Sequence, residues 1–110
     1  MNITDLQQSA REAAELMKAL SSENRLLLLC LLADGEKTVG ELAEGLGLRQ
    51  AAVSQQLGLL RKDGLVAARR DGRSMHYSLT GDEARAVILL LHRLYCVRAP
   101  QTAEAELSGV

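Results

Sequence analysis

Cys30 and Cys96 are the two thiols of this sequence, and His92 stands four residues before the second of them. Four residues is about one helical turn, so His92 and Cys96 share a helix face, and Cys30 would complete a three-ligand site for Zn or Cu. The same thiols could instead form a redox switch, and each alone packs well as a small hydrophobe. A second group is polar. Gln50, Ser54 and Gln55, with Gln56 beside them, follow Arg49 and precede Arg61 and Lys62. Gln pairs bidentately with adenine in the DNA major groove, and Ser bonds to base or phosphate. A third group, Arg69, Arg70 and Arg73 with His76 nearby, concentrates positive charge where it would neutralise phosphate. Paired carboxylates and a nucleophile beside an evident base are both missing, and the two His fall in unrelated elements. The chemistry is therefore binding or sensing, and the chain is not read as an enzyme.

Charge distribution supports a nucleic-acid partner although the net charge is only −1. Between Arg49 and Arg73 six basic residues face two acidic ones, a local excess of +4 that leaves −5 for the rest. One basic face on an acidic body suits a phosphate backbone. No stretch is long and apolar enough to span a bilayer and the amino terminus lacks a signal-peptide pattern, so the expected location is the cytoplasm, with no membrane partner. There two cysteines are more often thiols, metal ligands or redox switches than a permanent staple. With no Phe or Trp, the core of this single domain must come from Leu, Ala, Val and Met.

The elements that must position these groups follow from periodicity. Residues 4–19 predict an amphipathic helix with Thr4 as its cap and Leu6, Ala10, Ala13, Ala14, Met17 and Leu20 near one face. Ser21 or Ser22 caps a second helix, RLLLLCLLADG, apolar on nearly every side and stopped by Gly35, with Cys30 at its middle. Thr38 caps a short helix over 39–45, in which Leu42 and Ala43 face inward while Glu41 and Glu44 stay wet. Gly47 breaks it from a third long pattern over 49–63. There Ala52, Val53, Leu57 and Leu60 form the docking stripe, and Gln50, Ser54, Gln55, Arg61 and Lys62 point outward. Two alternating runs joined at Asp71-Gly72 predict a hairpin, in whose second strand Met75, Tyr77 and Leu79 alternate with His76 and Ser78; Arg69, Arg70 and Arg73 cluster at its tip. His76 is read as a surface residue of that strand. Thr80 or Asp82 caps a last helix, where Val87, Ile88, Leu90, Leu91, Leu94 and Tyr95 make an apolar surface broad enough to need both its own domain and a second subunit. Residues 1–98 form the domain; 99–110 read as a disordered tail.

Helix, tight turn, helix, hairpin is the order of a winged helix-turn-helix, mainly α with a small β-hairpin, whose second helix enters the major groove. The run ELAEGLGLRQAAVSQQLGLLRKDGLVAARRDGRSMHYSL resembles the ArsR family of small dimeric bacterial repressors in its ELA, Gly turn, Ser-containing helix, LRKDGLV and RRDGR…YSL wing. The sequence carries Gln56 where that family often has His. The resemblance implies a homodimer through the first and last helices on double-stranded operator DNA; from the residues alone, the first helix could equally fold onto its own domain.

LLLLCLL and LYCVR further resemble the branch of that family that senses reactive sulfur. In the resembled fold the second and last helices lie side by side, which would let Cys30 and Cys96 meet. The implied inducer is a low-molecular-weight persulfide or polysulfide that oxidises the pair to a disulfide or sulfur-bridged link and releases DNA. Burial among leucines disfavours a thiolate at Cys30, while His92, Arg93 and Arg98 near Cys96 favour one there, so Cys96 is expected to react first and Cys30 to resolve. The metal alternative (Cys30, His92, Cys96) is weakened because TVGELAEGL holds no Cys and because Ala84 stands two residues after Asp82 where paired Asp and His mark the zinc sensors. A protein-binding winged helix is the remaining alternative, and no cofactor is expected.

Overall fold

The computed structural model describes residues 2–97, with Val97 described by its backbone alone; the expected tail over 99–110 lies outside the described residues. The elements run α1 (Ile3–Ala19), α2 (Glu23–Ala33), β1 (Lys37–Thr38), α3 (Val39–Leu46), α4 (Gln50–Lys62), β2 (Val66–Asp71), β3 (Ser74–Leu79) and α5 (Asp82–His92), then a π turn over Arg93–Val97. This is the winged helix-turn-helix order that the sequence predicts, with β1 as an additional strand.

Local chemistry sets most boundaries. Asn2, not Thr4, caps α1: its Oδ1 accepts from the amides of Thr4 at 2.7 Å and Asp5 at 3.4 Å. Asn is as good a cap as Thr, and the helix simply begins earlier. Ser22 caps α2 by accepting from the Arg25 amide. Thr38 and Glu41 form a reciprocal capping box on α3, and Gly47, at φ 67°, ends that helix in the left-handed region. Neither Thr80 nor Asp82 caps α5. The Thr80 hydroxyl donates instead to the Gly64 carbonyl at 2.7 Å, and Gly81, at φ 88°, takes the cap position without a side-chain bond.

The core forms around α2. Leu28, Leu29 and Leu32 meet Leu42 of α3, Val53, Leu57 and Leu60 of α4, and Ile88 of α5, all at 1% exposure or less. Each leucine so buried contributes roughly 1.5–3 kcal/mol against ordering costs of similar scale. α2 is not buried on all sides, however: Leu27 is 41% exposed and Cys30 half-buried. Helix α1 joins the core only at its end, through Ala19 and Leu20, with Leu16 partly buried. Its predicted apolar face, including Leu6 and Met17, stays exposed. Leu89, Leu90, Leu94 and Tyr95 do the same at the other end of the chain.

The sheet is antiparallel in the order β1-β3-β2. Asp71 pairs with Ser74, so the two turn residues are Gly72 and Arg73, with Gly72 at φ 64°. The turn thus lies one residue beyond the expected Asp71-Gly72 pair. Along β3 the alternation is muted, since Leu79 is buried and Met75 through Ser78 are all half-buried. Part of the reason is β1, which covers β3 through the pairs Lys37–Tyr77 and Thr38–His76.

Candidate nucleic-acid interface and thiol cleft

Helix α4 docks through Val53, Leu57 and Leu60, which turns Gln50, Ser54, Gln55, Arg61 and Lys62 to solvent. Ala52, expected in the docking stripe, is exposed and extends the outward face instead. Arg49, exposed, occupies the cap position without a side-chain bond to the helix, which leaves the first amides of α4 uncapped by a side chain. Such a helix start favours phosphate. Gln56, expected beside them as a DNA contact, does not join this outward row. It is half-buried, and its Oε1 is buried with no hydrogen-bond partner among the described residues. Position 56 stands next to Leu57 and three residues from Val53, at the border of the docking stripe.

The wing arginines divide into two kinds. Arg70 and Arg73 are exposed toward the tip. Arg69 is held lower down: its Nε donates to Glu36 Oε2 at 3.1 Å and its Nη2 to Glu36 Oε1 at 2.6 Å, while Nη1 lies 3.9 Å from Asp71 Oδ2. His76, opposite Arg69 in the ladder, is half-buried and brings Nδ1 within 3.9 Å of the same Glu36 carboxylate. It is therefore a member of a polar cluster and not a free surface residue of its strand. The bonds from Arg69, then its charge and that of His76, hold the Glu36 carboxyl below the usual carboxylate range. Sequence reading missed Glu36, because nothing in ADGEK points to a partner 33 residues away.

The thiols share a cleft between α2 and the end of the last helix. Cys30 and Leu26 of α2, Leu91 and His92 of α5, and Tyr95 and Cys96 of the π turn line one apolar cleft of ≈ 300 Å³. Cys30 is half-buried and Cys96 exposed, and both are free thiols. Burial pushes the Cys30 thiol up, with the negative charges of Cys96 and Asp34 adding to it. At position 93 the helix widens from α to π, a change that alters the facing of the last residues and often occurs at functional sites. Arg85 braces the same pair of helices by donating from Nη1 to the Ala33 carbonyl at the end of α2. Although His92 lines the cleft with both cysteines, among the described residues no three His, Cys, Asp or Glu side chains are gathered so as to hold a metal ion. No helix among the described residues is long and apolar enough to cross a membrane.

Comparison with known proteins fits this geometry. A family model described as bacterial regulatory protein, arsR family, matches residues 22–68, from the start of α2 into β2. The transcriptional activator HlyU of Vibrio cholerae serotype O1 is 46% identical over 96 residues, covering 87% of this chain and 89% of that protein. The biofilm growth-associated repressor of Xylella fastidiosa is 40% identical over 101 residues, covering 92% and 89%. The crystal structure of the regulator HlyU from Vibrio vulnificus superposes with a TM-score of 0.83 at 46% identity, covering 87% of this chain and all of that one. An outward polar helix, a charged wing and relatives of this kind lead to one conclusion: the chain belongs to the ArsR family, a DNA-binding transcription regulator of winged helix-turn-helix fold and not an enzyme.

Proposed function

We propose that this regulator is a thiol-switched repressor: its reduced homodimer binds operator DNA, and oxidation of Cys30 and Cys96 by reactive sulfur species releases it. The observation that carries the reading is the shared cleft, which gathers both thiols of the chain between α2 and the end of α5. The DNA contacts are assigned to Arg49, Gln50, Ser54, Gln55 and Arg61 on α4 and to Arg70 and Arg73 on the wing. Dimerisation is assigned to the apolar faces left exposed on α1, α5 and the π turn, including Met17, Leu90 and Leu94. In a reducing cytoplasm the pair rests as thiols.

The chemistry balances as two displacements. The Cys96 thiolate attacks the outer sulfur of a persulfide RSSH, forming Cys96–S–SH and expelling RS⁻. Cys30, as thiolate, then attacks the Cys96 Sγ and expels HS⁻, leaving a disulfide; the transferred sulfur leaves reduced to sulfide and the two cysteines are oxidised. If a second persulfide first lengthens the Cys96 chain by one sulfur, attack on the middle sulfur leaves a trisulfide and again expels HS⁻. A bridge with added sulfur spans a separation that a plain disulfide, limited to Cα atoms within about 7 Å, does not. Cys96 is the first nucleophile because it is exposed, whereas burial above all keeps the Cys30 thiol less readily ionised.

Linking α2 to the end of α5 acts on the dimer seam, and so on the spacing of two α4 helices that must fit major grooves about 34 Å apart. A coupling of roughly 1–3 kcal/mol is sufficient for control. The test is binding to the protein's own upstream DNA before and after treatment with glutathione persulfide and desalting. Tight, salt-sensitive binding that treatment abolishes and a reductant restores is expected. Unchanged binding after treatment would return both cysteines to a packing role.

A further inference from the structure

We propose that Glu36 withholds Arg69 from the DNA backbone and so limits affinity for DNA of arbitrary sequence. The inference rests on DNA binding by α4 and the wing. Arg69 is one of six basic residues in the interface segment, yet all three of its guanidinium nitrogens face carboxylates: two donate to Glu36 and the third lies 3.9 Å from Asp71. Glu36 sits outside the wing, in the loop between α2 and β1, so its hold ties Arg69 to the body of the domain. His76 flanks the same carboxylate from β3. With its Nε–Nη2 edge gripped by Glu36 and Nη1 beside the Asp71 carboxylate, the guanidinium has no unopposed fork to offer a phosphate.

The pair is solvent-accessible, with side chains 54% and 35% exposed, so it opens and re-forms. A phosphate must then compete with Glu36, and the carboxylate acts as a standing competitor that is itself repelled by DNA. Phosphate contacts provide affinity without reading sequence, while base contacts specify. Occupying one arginine internally therefore weakens binding everywhere by a similar factor, and relatively more of what remains comes from the base-reading face of α4.

The experiment measures binding of the reduced full chain to a short duplex of scrambled sequence across a salt series, for the wild type, Glu36→Gln, Glu36→Asp, Arg69→Gln and the double variant Glu36→Gln/Arg69→Gln. Glu36→Gln is expected to tighten binding on the order of fivefold and to steepen the slope of log K against log salt by about 0.9, one added phosphate contact. Glu36→Asp retains the charge but is a methylene too short for the two-bond grip, and should shift both readings in the same direction. In the Arg69→Gln background the gain should vanish. If Glu36→Gln tightens binding equally with and without Arg69, or if Glu36→Asp behaves as the wild type, long-range charge explains the effect and the proposal fails. A wild type that binds no duplex even at low salt overturns the DNA reading as well. Circular dichroism of each variant establishes that the fold is retained.

Discussion

Cys30, half-buried on α2, and Cys96, exposed on the π turn after α5, line the same apolar cleft although 66 positions separate them in sequence (96 less 30). The two differ in what they can do first. One is open to a sulfur donor, while the other is shielded and held as a thiol by burial and by the negative charges of Cys96 and Asp34.

Removing either thiol should disable the switch and spare DNA binding. Cys30→Ser and Cys96→Ser are expected to bind operator DNA within about twofold of the reduced wild type, since neither lies on α4 or the wing. Neither should release DNA on persulfide treatment. Mass spectrometry of treated Cys30→Ser should find added sulfur on Cys96, and treated wild type should show an intramolecular link. A single-cysteine variant that still lets go of DNA sinks the two-thiol mechanism.

The raised Cys30 pKa has a definite sign. The folded state holds this proton more tightly than the unfolded chain does, so the stabilisation is complete below the unfolded thiol pKa. It is lost as pH rises through the folded value. Alkylation of Cys30, which requires the thiolate, should therefore show its inflection at a higher pH than a thiol in an unfolded peptide. The rate of iodoacetamide labelling against pH, measured in full-length wild type with each site followed by peptide mass, checks this; an inflection below the peptide value contradicts it.

Two leucines on α4, two residues apart, should behave very differently. Leu57 is fully buried and Leu59 is 45% exposed. Leu57→Ala is expected to cost about 3 kcal/mol by denaturant unfolding, the transfer energy plus the cavity left behind. Leu59→Ala should cost less than about 1 kcal/mol. Equal losses would mean that α4 is rotated from the orientation described, and with it the outward row of Gln50, Ser54 and Gln55.

Charge placed on the exposed seam should dissociate the dimer. Leu90→Glu or Leu94→Glu, at positions 45% and 49% exposed in the single chain, is tolerated by the monomer and penalised where two apolar faces meet. Light scattering should report a monomer, and affinity for a two-half-site operator should fall on the order of tenfold or more. A charged variant that remains dimeric would move the interface elsewhere.

The sequence made visible what local rules govern. The Thr38 cap of α3, the break at Gly47 and the stripe of Val53, Leu57 and Leu60 depend on neighbours within a turn or two, and they appear where spacing predicts them. What escaped prediction depends on partners distant in sequence. The strand Lys37–Thr38 is too short to alternate and exists because β3 is there to pair with it. Glu36 joins Arg69 and His76 only once the wing has folded back. The buried amide oxygen of Gln56 and the widening at Arg93 are tertiary features, which periodicity does not encode. Asn2 was missed for a simpler reason: two acceptable caps stood two residues apart, and the earlier one forms the bond.

The two-residue strand β1 has a mechanical consequence. Thr38 pairs across to His76 of the wing and also caps α3, which shares its core with α4 through Leu42, Val53 and Leu57. Wing and reading helix are thus tied to each other twice, through a backbone ladder and through a shared core. On the proposed switch, a link formed at the thiol cleft is therefore expected to reach both DNA-contacting parts together, so that control over DNA becomes a matter of alignment between two copies of one unit.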